Sequence, residues 1–97
     1  WGNENRSAVI RVPAAKSENR LELISPDPGC NPYIAITLLI HAAIEGIQNN
    51  MQPPEPATQN LFNPEIAKAV KYNSLPVSLE EAKALAEKSD FVKGILG

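Results

Sequence analysis

Apolar and polar positions change their period several times along this chain, and each change marks an element. From Ser7 to Pro13 the residues alternate, with Ala8, Ile10 and Val12 on one side and Ser7, Val9 and Arg11 on the other. A period of two predicts a strand over residues 7–13. Residues 14–19 are a polar turn region. Alternation resumes over residues 20–25, where Arg20, Glu22 and Ile24 share one face and Leu21, Leu23 and Ser25 the other. These two runs predict an antiparallel pair. Pro26-Asp27-Pro28-Gly29 ends the second strand, because neither proline has an N–H to give to a ladder.

The period then becomes helical. Asn31-Pro32 supplies an N-cap and a first-turn proline, and Asn49-Asn50 with the following prolines supplies the stop, so a helix is predicted over 31–50. Its polar residues Thr37, His41 and Glu45 recur every four positions as one narrow stripe, and nearly everything else on it is Ile, Leu or Ala. A helix apolar around most of its circumference is expected to be buried on several sides. Asn63-Pro64-Glu65 repeats the cap and proline for a helix over 64–72. Ser78-Leu79-Glu80-Glu81 reads as a capping box for one over 78–88, and Ser89-Asp90 caps a last one over 90–96. The expected class is α+β: two antiparallel strands, a long buried helix and shorter helices. Two strands cannot cover such a helix, so the chain reads as a fragment or an obligate partner.

Ninety-seven residues are enough for one small domain. Nine Lys and Arg against eleven Asp and Glu leave a net charge of −2 with no basic block, which argues against a non-specific nucleic-acid surface. One cysteine excludes an internal disulfide, and one histidine excludes any metal site needing two from this chain. The apolar run Tyr33 to Ile47, interrupted three times, falls short of the roughly 20 residues that span a bilayer. The first residues carry no apolar stretch of the signal-peptide kind. These features predict a soluble protein of a reducing compartment, with no membrane partner.

Chemistry concentrates in the two strands, where Arg6, Arg11, Arg20 and Glu22 lie close together in sequence. Arginines converging from paired strands can bind phosphate oxygens through their planar fork, and a neighbouring carboxylate can hold a nucleotide-associated magnesium. The same residues can equally form cross-strand ion pairs such as Arg11 with Glu22, and spacing alone favours that structural reading. His41 and Glu45 have no third ligand on their face and read as a polar seam of the helix. Cys30, far from His41 along the helix, is expected to be a buried structural thiol. No glycine-rich phosphate loop occurs.

In the same region the sequence resembles a known family. Asn5-Arg6-Ser7 through Arg11-Val12-Pro13 is similar to the NRSxxxRxP segment of the glutamine synthetases. Arg20-Leu21-Glu22, Ser25-Pro26-Asp27-Pro28 and Asn31-Pro32-Tyr33 resemble that family's RxExRxPDPxxNPY segment. Glu45-Gly46-Ile47-Gln48-Asn49, Asn60-Leu61-Phe62 and the segment from Leu75-Pro76 to Ala82 continue in the family's order, so the resemblance covers essentially the whole chain.

The resemblance implies that residues 1–97 are part of the C-terminal catalytic domain of a longer enzyme, inactive by themselves. Such an enzyme phosphorylates glutamate with ATP and lets ammonia displace the phosphate, using magnesium or manganese. It is expected in the cytoplasm as a homo-oligomer of the dodecameric ring type. By resemblance Arg6 and Arg11 fall on the ATP phosphates and the transferred phosphoryl group, Lys16 at a basic loop position near the nucleotide, and Glu22 on the metal. Arg20 then supports Glu22. Two positions depart from the pattern. Ile24 replaces an arginine that contacts glutamate or the phosphoryl group, which keeps open a ligase for another amine or a non-catalytic relative with a structural role. Phe62 replaces the tyrosine that receives AMP in adenylylated bacterial members.

Overall fold

The computed structural model describes residues 1–14 and 19–97. Its elements are β1 (Gly2–Asn3), β2 (Ile10–Val12), β3 (Glu22–Leu23), α1 (Pro32–Gln48), α2 (Pro64–Val70), α3 (Leu79–Lys88) and α4 (Asp90–Leu96). The α+β class is as expected. The chain divides into two units: Trp1–Pro26 with Pro53–Asn73, and Asp27–Gln52 with Ser74–Gly97.

The first unit holds the sheet, in the order β1-β2-β3. Strands β2 and β3 pair antiparallel, as expected, with Ile10 opposite Leu23 and Arg11 opposite Glu22. Both strands are shorter than their sequence period implies. Residues 5–8 leave the ladder because Asn5 Oδ1 accepts from both the Ser7 backbone N–H (3.1 Å) and the Ser7 hydroxyl (2.6 Å). Such side-chain capture competes with strand pairing. One more bond, from Ile24 N–H to the Val9 carbonyl at 3.0 Å, extends the β2–β3 contact.

Strand β1, which no period announces, runs parallel to β2 with Gly2 opposite Arg11 and Asn3 opposite Val12. The extended segment 53–61 lies against it. Ala57 N–H donates to the Trp1 carbonyl at 2.7 Å, and Trp1 Nε1 donates to the Pro54 carbonyl at 2.7 Å. This approach is why residue 2 is glycine: a Cβ there would sit 2.6 Å from Asn5 Cβ and 2.7 Å from the Ala57 carbonyl oxygen. Among the described residues the buried apolar ones are correspondingly small, Ala8 and Ala57. Helix α2 starts on Asn63 and Pro64 as expected. It stops at Val70 rather than residue 72, because Lys71 turns left-handed at φ 52°.

The second unit is helical, and its caps follow the sequence closely. Asn31 Oδ1 accepts from Tyr33 N–H at 3.0 Å, with Pro32 in the first turn. Helix α1 ends at Gln48, two residues early, where Asn50 adopts φ 50° and Met51 N–H returns to the Gly46 carbonyl. Ser78 Oγ accepts from Glu81 N–H at 3.1 Å, and the Glu81 carboxylate accepts from Val77 N–H at 2.9 Å. That return bond lands one residue before the position a capping box uses. Ser89 closes α3 and opens α4, accepting from Val92 N–H.

Two expectations need correction here. Helix α1 is not buried: none of its residues is, and Tyr33 and Ile47 are 82% and 79% exposed. The two short helices of its unit cannot wrap a helix of 17 residues. Cys30 is exposed rather than buried, since it lies in a surface turn closed by its own N–H on the Asp27 carbonyl. Among the described residues no helix is long and apolar enough to cross a membrane.

Candidate functional site

The β2–β3 register sets Arg11 and Glu22 directly opposite each other, so their side chains meet on one face. Arg11 Nη1 donates to Glu22 Oε2 at 2.8 Å, and Arg20 Nη2 donates to Glu22 Oε1 at 3.2 Å. Glu22 is thus shared by two guanidiniums. On the other side, Arg11 Nη2 donates to Glu4 Oε2 at 3.2 Å. The second oxygen of Glu4 accepts from Ala14 N–H. Four side chains, two cationic and two anionic, form a neutral chain of contacts: Glu4 directly follows β1, Arg11 is in β2, Glu22 is in β3 and Arg20 precedes it.

Exposure grades along that chain. The Arg11 side chain is only 11% exposed, Glu22 35%, and Arg20 and Glu4 about half. Hydrogen bonding to Arg11, then to Arg20, holds the Glu22 carboxyl below the usual carboxylate range. The hydrogen bond to Glu22 in turn raises the already high value of Arg11. Arg11 Nε is buried and has no hydrogen-bond partner among the described residues.

Arg6 lies in a different setting. It is exposed on the turn between β1 and β2, and no carboxylate pairs with it among the described residues. It borders an open depression of about 390 Å³ with Asn3, Glu4, Gln59, Asn60 and Phe62. The residues on either side of Arg6 fasten that turn. Asn5 Nδ2 donates to the Ala57 and Gln59 carbonyls at 2.9 and 3.0 Å, and Leu61 N–H donates to Ser7 Oγ at 2.8 Å. Arg6 therefore projects from a turn pinned on both flanks, which restricts where its guanidinium can reach.

The cross-strand pair named as an alternative at the sequence level, Arg11 with Glu22, is present, and Arg20 supports Glu22 as expected. Lys16 lies outside the described residues. Phe62 is 71% exposed at the rim of the depression, and Ile24 is 54% exposed at the end of the β2–β3 contact. His41 and Glu45 join no cluster: among the described residues no three His, Cys, Asp or Glu side chains come together. Sequence reasoning missed Glu4. No period marks it, and its one signal is a carboxylate placed immediately before a segment with two arginines.

Comparison with known proteins adds a second line. The sequence model described as the glutamine synthetase catalytic domain matches residues 1–97. The chain is 42% identical to the glutamine synthetase of Methanosarcina mazei, aligned over all of this chain and 22% of that protein. It is 40% identical to the glutamine synthetase of Methanocaldococcus jannaschii, again over all of this chain and 22% of the relative. That of Thermotoga maritima is also 40% identical, with 23% of its length covered. The chain thus spans between a fifth and a quarter of the length of these relatives. No solved structure matches it.

Proposed function

This chain belongs to the glutamine synthetase catalytic-domain family, and from that premise we propose that it forms part of an ATP-dependent glutamate–ammonia ligase. In this reading ATP phosphorylates the side-chain carboxylate of glutamate, and ammonia then displaces phosphate from the γ-glutamyl phosphate. One observation supports it above the others. A single three-stranded sheet carries one arginine held between carboxylates and, on its β1–β2 turn, a second arginine with no ion-pair partner among the described residues.

The two arginines suit different tasks. Arg6, exposed at the depression, binds phosphate oxygens of the nucleotide as a charged fork. Arg11 keeps N–H groups beyond the two its carboxylates occupy. Its direction is preset, so it stabilises charge that develops on the transferring phosphoryl group without first reorganising. Lys16 joins them near the nucleotide in this reading.

A divalent cation is implied by the family, and Glu22 fits as one oxygen donor for it. Its lowered proton affinity keeps it ionised, and each oxygen retains a lone pair beyond the one a guanidinium uses. Among the described residues no group of three His, Cys, Asp or Glu side chains comes together around it. When bound, magnesium or manganese would neutralise phosphate charge; Glu22 itself orients Arg11 and Arg20 whether or not the cation is there.

Because one carboxylate does not make a metal site, the 97 residues alone are inactive in this reading. The cytoplasmic setting and the ring-type homo-oligomer extend the proposal by family resemblance. Phosphate release and glutamine formation by the ligase containing this sequence, assayed with glutamate, ATP and ammonia, test it. Glutamine formation supports the reading, whereas turnover only with a larger amine overturns it. A second reading, a ligase for another amine, is favoured by one observation: Ile24 presents an apolar side chain where the family pattern has arginine.

A further inference from the structure

A guanidinium held by one carboxylate through one nitrogen can still pivot about that bond. Arg11 is held through both terminal nitrogens, by Glu22 on Nη1 and Glu4 on Nη2. Two anions on opposite arms fix the plane of the group and hence the direction of every remaining N–H. Nε is left buried without a partner among the described residues, a costly arrangement. The two acids, rather than the hydrogen-bonding capacity of Arg11 itself, therefore dictate its orientation.

Glu4 is about half exposed, and a free surface carboxylate would be a poor anchor. Here it is anchored by main chain. Its own N–H donates to the Val12 carbonyl at 2.9 Å, its backbone is held at φ 55°, and one carboxylate oxygen takes the N–H of Ala14. Val12 and Ala14 both lie just beyond Arg11 on the same strand or its continuation. The oxygen left to Arg11 is thus fixed relative to the strand that carries Arg11.

We propose that Glu4 is a positioning residue for Arg11: it locks the guanidinium plane so that the free N–H groups are aimed at the transferring phosphoryl group. The second half of that statement rests on the function proposed above; the first does not. Glu4 also supplies the negative charge that makes the four-residue chain neutral. Removing it loosens the aim while leaving a net positive site that still attracts phosphate.

The test has two arms. In the ligase containing this sequence, Glu4→Ala and Glu4→Gln are expected to lower kcat about tenfold, with no rise in KM for ATP. A residue that merely supported the fold would raise KM or reduce the amount of folded enzyme. In the same ligase, nitrogen-15 spectra of the Arg11 side chain report rotation about its Nε–Cζ bond. Both variants are expected to speed that rotation about tenfold or more while backbone amide dispersion is retained. Unchanged rotation in both variants, or a loss confined to KM, overturns the proposal. If the wild-type ligase releases no phosphate from ATP, the functional reading falls and the rotation measurement alone still decides the role of Glu4.

Discussion

Arg11 and Glu22 face each other as direct register partners across β2 and β3, and a 2.8 Å charge-assisted hydrogen bond joins them. The contact makes pH a probe of the site. Folded Glu22 releases its proton more readily than an unpaired glutamate, whose ordinary value is 4.5. The unfolded chain therefore binds more protons on acidification. The stability from the pair is complete above that ordinary value and is lost as pH falls through the lowered folded value. A carbon-13 titration of the Glu22 carboxyl is expected to show a midpoint below 4.5. A midpoint at or above it would contradict the pairing.

Gly2 is expected to tolerate no side chain. The Cβ of Gly2→Ala would meet Asn5 Cβ and the Ala57 carbonyl inside contact distance. Overpacking of this kind costs about 1–3 kcal/mol, readable as a lower urea midpoint. An unchanged midpoint would mean that β1 and the 53–61 segment do not pack as described.

Asn5 joins three backbone groups and one hydroxyl through a single amide. Asn5→Ala strands the Ala57 and Gln59 carbonyls and is expected to destabilise the chain by about 1–3 kcal/mol. In the ligase the same change lets the Arg6 turn drift, so KM for ATP rises. Equal KM values in variant and wild type would separate Asn5 from nucleotide binding.

Ile24 is half exposed and touches the sheet through its backbone N–H. Ile24→Arg is therefore expected to change stability by less than about 0.5 kcal/mol. If the glutamate–ammonia reading holds, restoring the family's charge raises kcat/KM for glutamate. No gain would favour a different substrate.

The parts of the fold legible in sequence are those decided locally. Asn31, Asn63, Ser78 and Ser89 all cap helices where their side chains predict, because a cap needs only the next two or three N–H groups. The Arg11–Glu22 register was readable too, since two alternating runs joined by a turn leave few ways to pair. Strand β1 was not, because two residues have no period and their partners lie nine positions away. The exposure of α1 is illegible for a similar reason: its apolar surface is a property of the helix, but its cover depends on other elements. The contact of Glu4 with Arg11 is illegible because it arises from a left-handed backbone that glutamate seldom adopts.

The fastening of the Arg6 turn has a kinetic meaning. The bonds from Asn5 and Ser7 reach partners 52 to 54 residues along the chain. Closing so long a stretch is slow compared with winding a helix cap or pairing β2 with β3. During folding, the turn that carries Arg6 is fastened only once these distant contacts have formed. In the function proposed above, an anion captured at Arg6 would in effect be a late reporter, arriving only when the far end of the unit has already found its place.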